Sequence, residues 1–141
     1  MITRILFSFL ATGAFAIIFN TPWNQLPWAA FTGMTGWFFY EIINLVYGYE
    51  AAIIISTVIV GVMSNYFSKK FKSNIHPFIT AGIIPLVPGA SAFFTIQKFI
   101  ENNPSGAFRY AYETFVAAFG IVIGISVSSY ISKLIFKNTR K

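Results

Sequence analysis

The amino-acid sequence predicts an all-α polytopic membrane protein, a transmembrane helix bundle forming one domain over residues 1–141. Three observations carry that expectation. Of the 141 residues, 56% are hydrophobic and only 10% are charged, against about 25% charge in an ordinary soluble domain. The charges are also unevenly placed. Between Ile5 and Lys69 the only charged side chains are Glu41 and Glu50, and from Phe115 to Ser132 there are none. Uncharged stretches of about 18–20 residues match a hydrocarbon core about 30 Å thick at a rise of about 1.5 Å per residue. Several such stretches leave too little polar surface to coat a globule in water, so the lipid bilayer is the expected solvent.

Five apolar segments follow in order. The first, residues 2–19, ends at the turn-forming Asn20-Thr21-Pro22. Its Arg4, apolar run and Ala14-Phe15-Ala16 imitate a cleaved signal peptide, but the run continues through Ile17, Ile18 and Phe19, so it reads as a retained span. The second, residues 27–47, opens on Pro27, where a missing N–H is harmless. The third, residues 50–67, opens on Glu50, which suits the positive end of a helix dipole. A basic loop with Lys69, Lys70, Lys72 and His76 precedes the fourth, residues 77–100. After the turn Asn102-Asn103-Pro104-Ser105-Gly106 comes the fifth, residues 107–136. It is longer than a bilayer is thick, so Arg109, Tyr110, Tyr112 and Glu113 are expected in the interface.

Topology follows from the basic residues. If all five segments cross, Lys69, Lys70 and Lys72 share a side with Lys133, Lys137, Arg140 and Lys141, opposite Arg4, Lys98 and Arg109. If the fourth only re-enters, the two basic clusters fall on opposite faces. The cytoplasmic bias of basic residues favours five spans, with the N-terminus outside and the C-terminus inside a bacterial-type plasma (inner) membrane. The same placement explains the net charge of +6 without nucleic acid, since no basic surface with interleaved aromatics lies outside the apolar segments. Trp23, Trp28, Tyr47 and Tyr49 sit at the ends of the second segment as an aromatic belt does. Gly120, Gly124 and Ser128 recur every four residues, and Thr57, Gly61 and Ser64 line one side of the third segment. Small residues at that spacing bring helices close in lipid, within one chain or between chains of an oligomer.

The stretch richest in chemistry is Ala81-Gly82-Ile83-Ile84-Pro85-Leu86-Val87-Pro88-Gly89-Ala90-Ser91. Pro85 and Pro88 each remove a donor and crowd the carbonyl four residues back. Gly89 permits dihedrals that other residues avoid. The fourth span is therefore expected to break at Pro85/Pro88-Gly89. Open backbone at membrane depth is tolerated only inside protein or beside a wet cavity. One reading is a kink that serves packing. The other is a ligand site, with N–H groups at Gly89, Ala90 and Ser91 facing an anionic group and Thr95 one turn on.

Glu41 stands inside the second segment with no basic residue three or four positions away, which makes it a candidate proton-coupling group. A place near the interface, with access to water, is the alternative. Glu113 is expected to pair with Arg109, Lys98 to snorkel, and His76 to be an ordinary solvated histidine. No enzyme constellation is present: Asp and Cys are absent, and one His with four Glu lacks the parts for metal or acid–base catalysis. No metal or other cofactor is expected.

The string Thr80-Ala81-Gly82-Ile83-Ile84-Pro85-Leu86-Val87-Pro88-Gly89-Ala90 resembles the signature of the threonine/serine exporter family. Gly13 to Pro22, with Gly33 and Gly36-Trp37, resembles that family's first two spans. The likeness covers almost the whole chain. It implies one of two homologous halves, the small stand-alone subunit corresponding to the C-terminal half, working with a larger subunit. It also implies secondary export of threonine and serine, while relatives with separate subunits are associated with small dicarboxylates such as succinate. An odd number of spans per half would make the two halves an inverted repeat. Pro85, Pro88, Gly89 and Asn20 match motif positions of the family. Glu41, Glu113 and Lys98 do not.

Overall fold

The computed structural model describes residues 2–136, helical apart from short connections. Helix α1 spans Ile2–Ile18, α2 Leu26–Tyr47, α3 Tyr49–Lys70, α4 His76–Ile83, α5 Gly89–Ile100 and α6 Pro104–Phe136. A single 3-10 turn, Ile84–Leu86, follows α4. The tail residues Lys137, Arg140 and Lys141 lie outside the described residues.

Each expected segment is helical, with ends shifted by a turn or less, and local chemistry explains the shifts. Helix α6 starts at Pro104 because the preceding Asn103 caps it, its Oδ1 accepting the Gly106 N–H at 3.0 Å. Of the five residues read as a turn, Pro104, Ser105 and Gly106 are instead the first turn of α6. Helices α1, α3 and α5 all end on a left-handed residue, Asn20 (φ 55°), Lys72 (φ 50°) and Asn102 (φ 52°). At α1 the Thr21 N–H reaches the Ala16 carbonyl at 3.0 Å and the Asn20 N–H reaches Ile17 at 2.9 Å. That pair of bonds satisfies carbonyls the helix would otherwise leave open. Between α2 and α3 the chain reverses on Gly48 alone, at φ 83° and ψ 175°, a region open in practice only to glycine.

Helices α3 and α6, over Tyr49–Lys70 and Pro104–Ile135, are long and apolar enough to cross a membrane. The pair 76–86 and 89–100 makes a third crossing if counted as one bent span. Helix α1 is apolar but has only 17 residues. Helix α2 has the length, 22 residues, but Trp28, Trp37, Tyr40, Glu41 and Asn44 dilute its hydropathy. Length and composition alone therefore mark two or three crossings rather than the five apolar segments.

Burial runs opposite to that of a soluble domain. Leu45 is 81% exposed and Ile100 76%, while the fully buried side chains are mostly Thr, Ser and Ala. A bundle that turns its large apolar side chains outward needs an apolar solvent. Several interior hydroxyls bond to their own helices: Thr57 to the Ile53 carbonyl (2.8 Å), Ser64 to Val60 (2.7 Å) and Thr32 to Trp28 (2.9 Å), while those of Thr12 and Ser56 have no partner among the described residues.

Helix α2 is central, packed by α1, α3 and α4, while α6 packs on α3 and α5 chiefly on α6. The two small-residue stripes meet within the chain. Ser128 occupies the space over Gly61, a Cβ on Gly124 would lie 2.6 Å from Thr57, and one on Gly120 would lie 2.8 Å from Ile53. Gly36 and Gly82 likewise admit Val60 of α3. Close approach along these seams draws α2, α3, α4 and α6 together.

Candidate functional site

The two prolines break the fourth segment, and the backbone shows how. Pro85 offers no N–H, so the Ala81 carbonyl is taken by the Ile84 N–H and the helix tightens to a 3-10 turn. Val87 turns extended (φ −65°, ψ 130°) with its N–H on the Ile84 carbonyl at 3.2 Å. Gly89 bonds the Val87 carbonyl at 2.8 Å, and α5 resumes at an angle of 44°. The N–H groups of Ala90 and Ser91 have no hydrogen-bond partner among the described residues, and no side chain caps α5. Gly89 does not take the unusual dihedrals expected of it. Its φ is on the ordinary side, and a Cβ there would meet nothing within 4 Å.

A cavity of about 260 Å³ lies against the break. Pro85, Leu86, Val87, Pro88, Ala90 and Ser91 form one wall, and Trp37, Tyr40, Tyr49 and Ile53 form the other. Four of the expected site residues, Pro85, Pro88, Ala90 and Ser91, are thus brought together. The aromatic wall is ordered by ring contacts: Trp37 and Tyr40 are 5.0 Å apart, and Tyr40 meets Tyr49 edge-on at 6.4 Å. Tyr49 also donates from its hydroxyl to the Glu113 carbonyl of α6 at 3.2 Å, and it lines the cavity together with Ser91 of α5.

Other expected residues lie elsewhere. Thr95 does not line the cavity, and its hydroxyl is engaged by the Ser91 carbonyl at 2.8 Å. Asn20 caps α1 beyond the start of α2, whereas the cavity begins at Trp37, about 16 Å along that helix at 1.5 Å per residue. Glu41 is not the isolated acid expected from its neighbours in sequence. Arg4 of α1 approaches it at 3.7 Å, and the Trp37 indole donates to the same oxygen at 3.2 Å. Glu41 therefore touches the cavity only through Trp37. The Arg109–Glu113 pair forms at 3.4 Å, Lys98 pairs with Glu101 at 2.6 Å, and His76 is exposed at the start of α4.

Beyond Tyr40 and Tyr49 lies a second, more open cavity of about 730 Å³. The ends of α2 and α3 around Gly48 contribute Asn44, Tyr47 and Glu50, and α6 contributes Arg109, Tyr112 and Glu113. Tyr112 bonds Glu50 across the two helices. No spacing in the sequence announces this space, because three helices supply it.

The inner cavity has the parts to hold a small carboxylate-bearing molecule. Free backbone N–H groups at a helix start attract an anion, Ser91 adds a hydroxyl, and Trp37, Tyr40 and Tyr49 supply aromatic surface. Its volume lies just under the range of about 300–1,000 Å³ typical of ligand pockets, a size for a metabolite of few heavy atoms.

A family model described as Threonine/Serine exporter, ThrE, matches residues 4–131, which include the broken segment and both cavities. The chain belongs to that family. No solved structure matches it significantly. Membership in the ThrE family and a bundle that exposes its large apolar side chains make this a multi-pass membrane protein with an exporter-type transport role.

Proposed function

We propose that the chain is a subunit of a secondary exporter of small polar carboxylate metabolites, threonine or serine first and a small dicarboxylate second. The observation that carries this reading is the cavity at Pro85–Ser91, where a broken helix presents unpartnered N–H groups of Ala90 and Ser91. Carboxylate binding at those groups, with Ser91 contacting the polar remainder, is the arrangement broken-helix transporters use for anionic substrate groups. Gly89 opens the helix, and Pro85 and Pro88 hold the break. Thr95 acts, in this reading, through the Ser91 carbonyl, and Asn20 through the end of α1. Glu41 carries the coupling proton, and an electrochemical gradient supplies the energy. The fold is one domain of five spans, N-terminus outside and C-terminus cytoplasmic.

A larger subunit of the same family is the proposed partner. What supports it is α5, none of whose residues is buried although Phe93, Ile96, Phe99 and Ile100 are all exposed. The same feature favours a second reading, a non-transporting subunit that stabilises its partner. Efflux of labelled threonine and succinate from loaded cells expressing the chain with a candidate large subunit tests the main reading. Efflux of threonine is expected to rise, and no change for either substrate would sink it. Substituting Pro88 or Ser91 separates the two readings. Lost flux at normal partner abundance means transport, and lost abundance means assembly.

A further inference from the structure

The outer cavity combines both charge signs around a space large enough for a metabolite. It is walled by Asn44, Glu50, Arg109, Tyr112 and Glu113, and shares Tyr40 and Tyr49 with the inner cavity. The two phenols are therefore a partition between the spaces. Arg109 is largely exposed, and its one ionic contact among the described residues is through Nε to Glu113, which leaves most of its planar donor fork unused there. Glu50 is held toward the space by Tyr112. The Asn44 amide makes no side-chain hydrogen bond among the described residues. Two carboxylates against one guanidinium set a net charge of −1 on this wall.

We propose that the outer cavity is a second binding site, which receives a zwitterionic α-amino acid and discriminates against dianions. The Arg109 guanidinium takes the carboxylate. Glu50 and Glu113 take the ammonium group, and Asn44 lies beside the side chain. A dicarboxylate would satisfy Arg109 once and then face two like charges, which costs affinity. The site deepens the transport reading, because a ligand here stands one pair of phenols from the Pro85–Ser91 cavity. The Tyr49 hydroxyl bonded to Glu113 ties the partition to the charged wall.

Equilibrium binding of labelled L-threonine, with unlabelled succinate as competitor, to the full chain in lipid nanodiscs tests the site. Circular dichroism would check each variant's fold. Two threonine sites are expected. Arg109→Gln removes one, and Glu113→Gln weakens the same one about tenfold, the loss of a charge-assisted hydrogen bond. Ser91→Ala affects only the other. In the Glu50→Gln, Glu113→Gln double variant succinate should begin to compete at the site lost with Arg109→Gln. A single site sensitive to Ser91→Ala and indifferent to Arg109→Gln overturns the outer site and leaves the transport reading standing. A single site lost with Arg109→Gln and indifferent to Ser91→Ala does the reverse. Absence of threonine binding overturns both.

Discussion

Arg4 of α1 and Glu41 of α2 face each other at 3.7 Å, the arginine side chain 74% exposed and the glutamate only 12%. The pair is asymmetric: an almost buried acid is reached by a cation that stays mostly outside. The same carboxylate oxygen accepts from Trp37, whose ring lines the inner cavity. On the proposed role of Glu41 as the coupling group, removing the acid should disturb coupling more than folding. In exchange assays with substrate on both sides, Glu41→Gln is expected to keep exchange and lose its dependence on a pH gradient. Loss of both in a folded variant would place Glu41 in the substrate path instead.

The seam between α3 and α6 depends on absent side chains. Gly124→Val would drive its Cβ into Thr57, 2.6 Å away, and Gly61→Val would strike Ser128. Overpacking of this kind costs about 1–3 kcal/mol, so both variants should melt earlier than the parent in detergent. Gly89→Ala is the contrast. Nothing lies within 4 Å of its added methyl, and its thermal stability should change by no more than about 0.5 kcal/mol.

Gly48 is the sole residue between α2 and α3, at φ 83° and ψ 175°. Gly48→Ala meets no steric neighbour, so any loss is backbone strain, about 1–3 kcal/mol. A fall in melting temperature is expected, with Asn44→Ala as the neighbouring control that should not move it. Equal stability of the Ala variant would mean the connection relaxes elsewhere.

The turn between α5 and α6 carries a pH dependence. Lys98 and Gln97 hydrogen-bond the Glu101 carboxyl and hold it below the ordinary carboxylate range. The folded value is depressed, so this contribution is complete above the unfolded value and lost as pH falls through the folded one. The Glu101 carboxyl resonance should titrate below that of a model peptide and return to the ordinary range in the Gln97→Ala, Lys98→Ala variant. An unshifted resonance in the parent would refute the contact.

Much of this was legible in the sequence where the controlling interaction is local. Pro85 and Pro88 act on carbonyls within one turn, so the break was readable from spacing. The Gly61 and Gly124 stripes were readable as close-packing faces, although not which face met which. The partner of Glu41 was not readable, because sequence spacing reveals neighbours on one helix and Arg4 comes from another. Tyr49 looked like an ordinary interfacial aromatic, and no pattern in the sequence singled out Tyr40. Only the reversal at Gly48 and the Glu113 carbonyl of α6 turn them into a shared wall. Asn20 matched a family motif, yet its left-handed backbone ends a helix.

The broken segment also joins two packing neighbourhoods. Helix α4 belongs with α1, α2 and α3, whereas α5 rests chiefly on α6. The chain between α4 and α5, Ile84 to Pro88, is the covalent strap that connects them. If α5 shifts against α4, the torsions of this strap must absorb the difference, and Pro85, Leu86, Val87 and Pro88 of the strap wall the inner cavity. Displacement of α5 against α4 and the dimensions of the inner cavity are thus one coordinate, written in five residues.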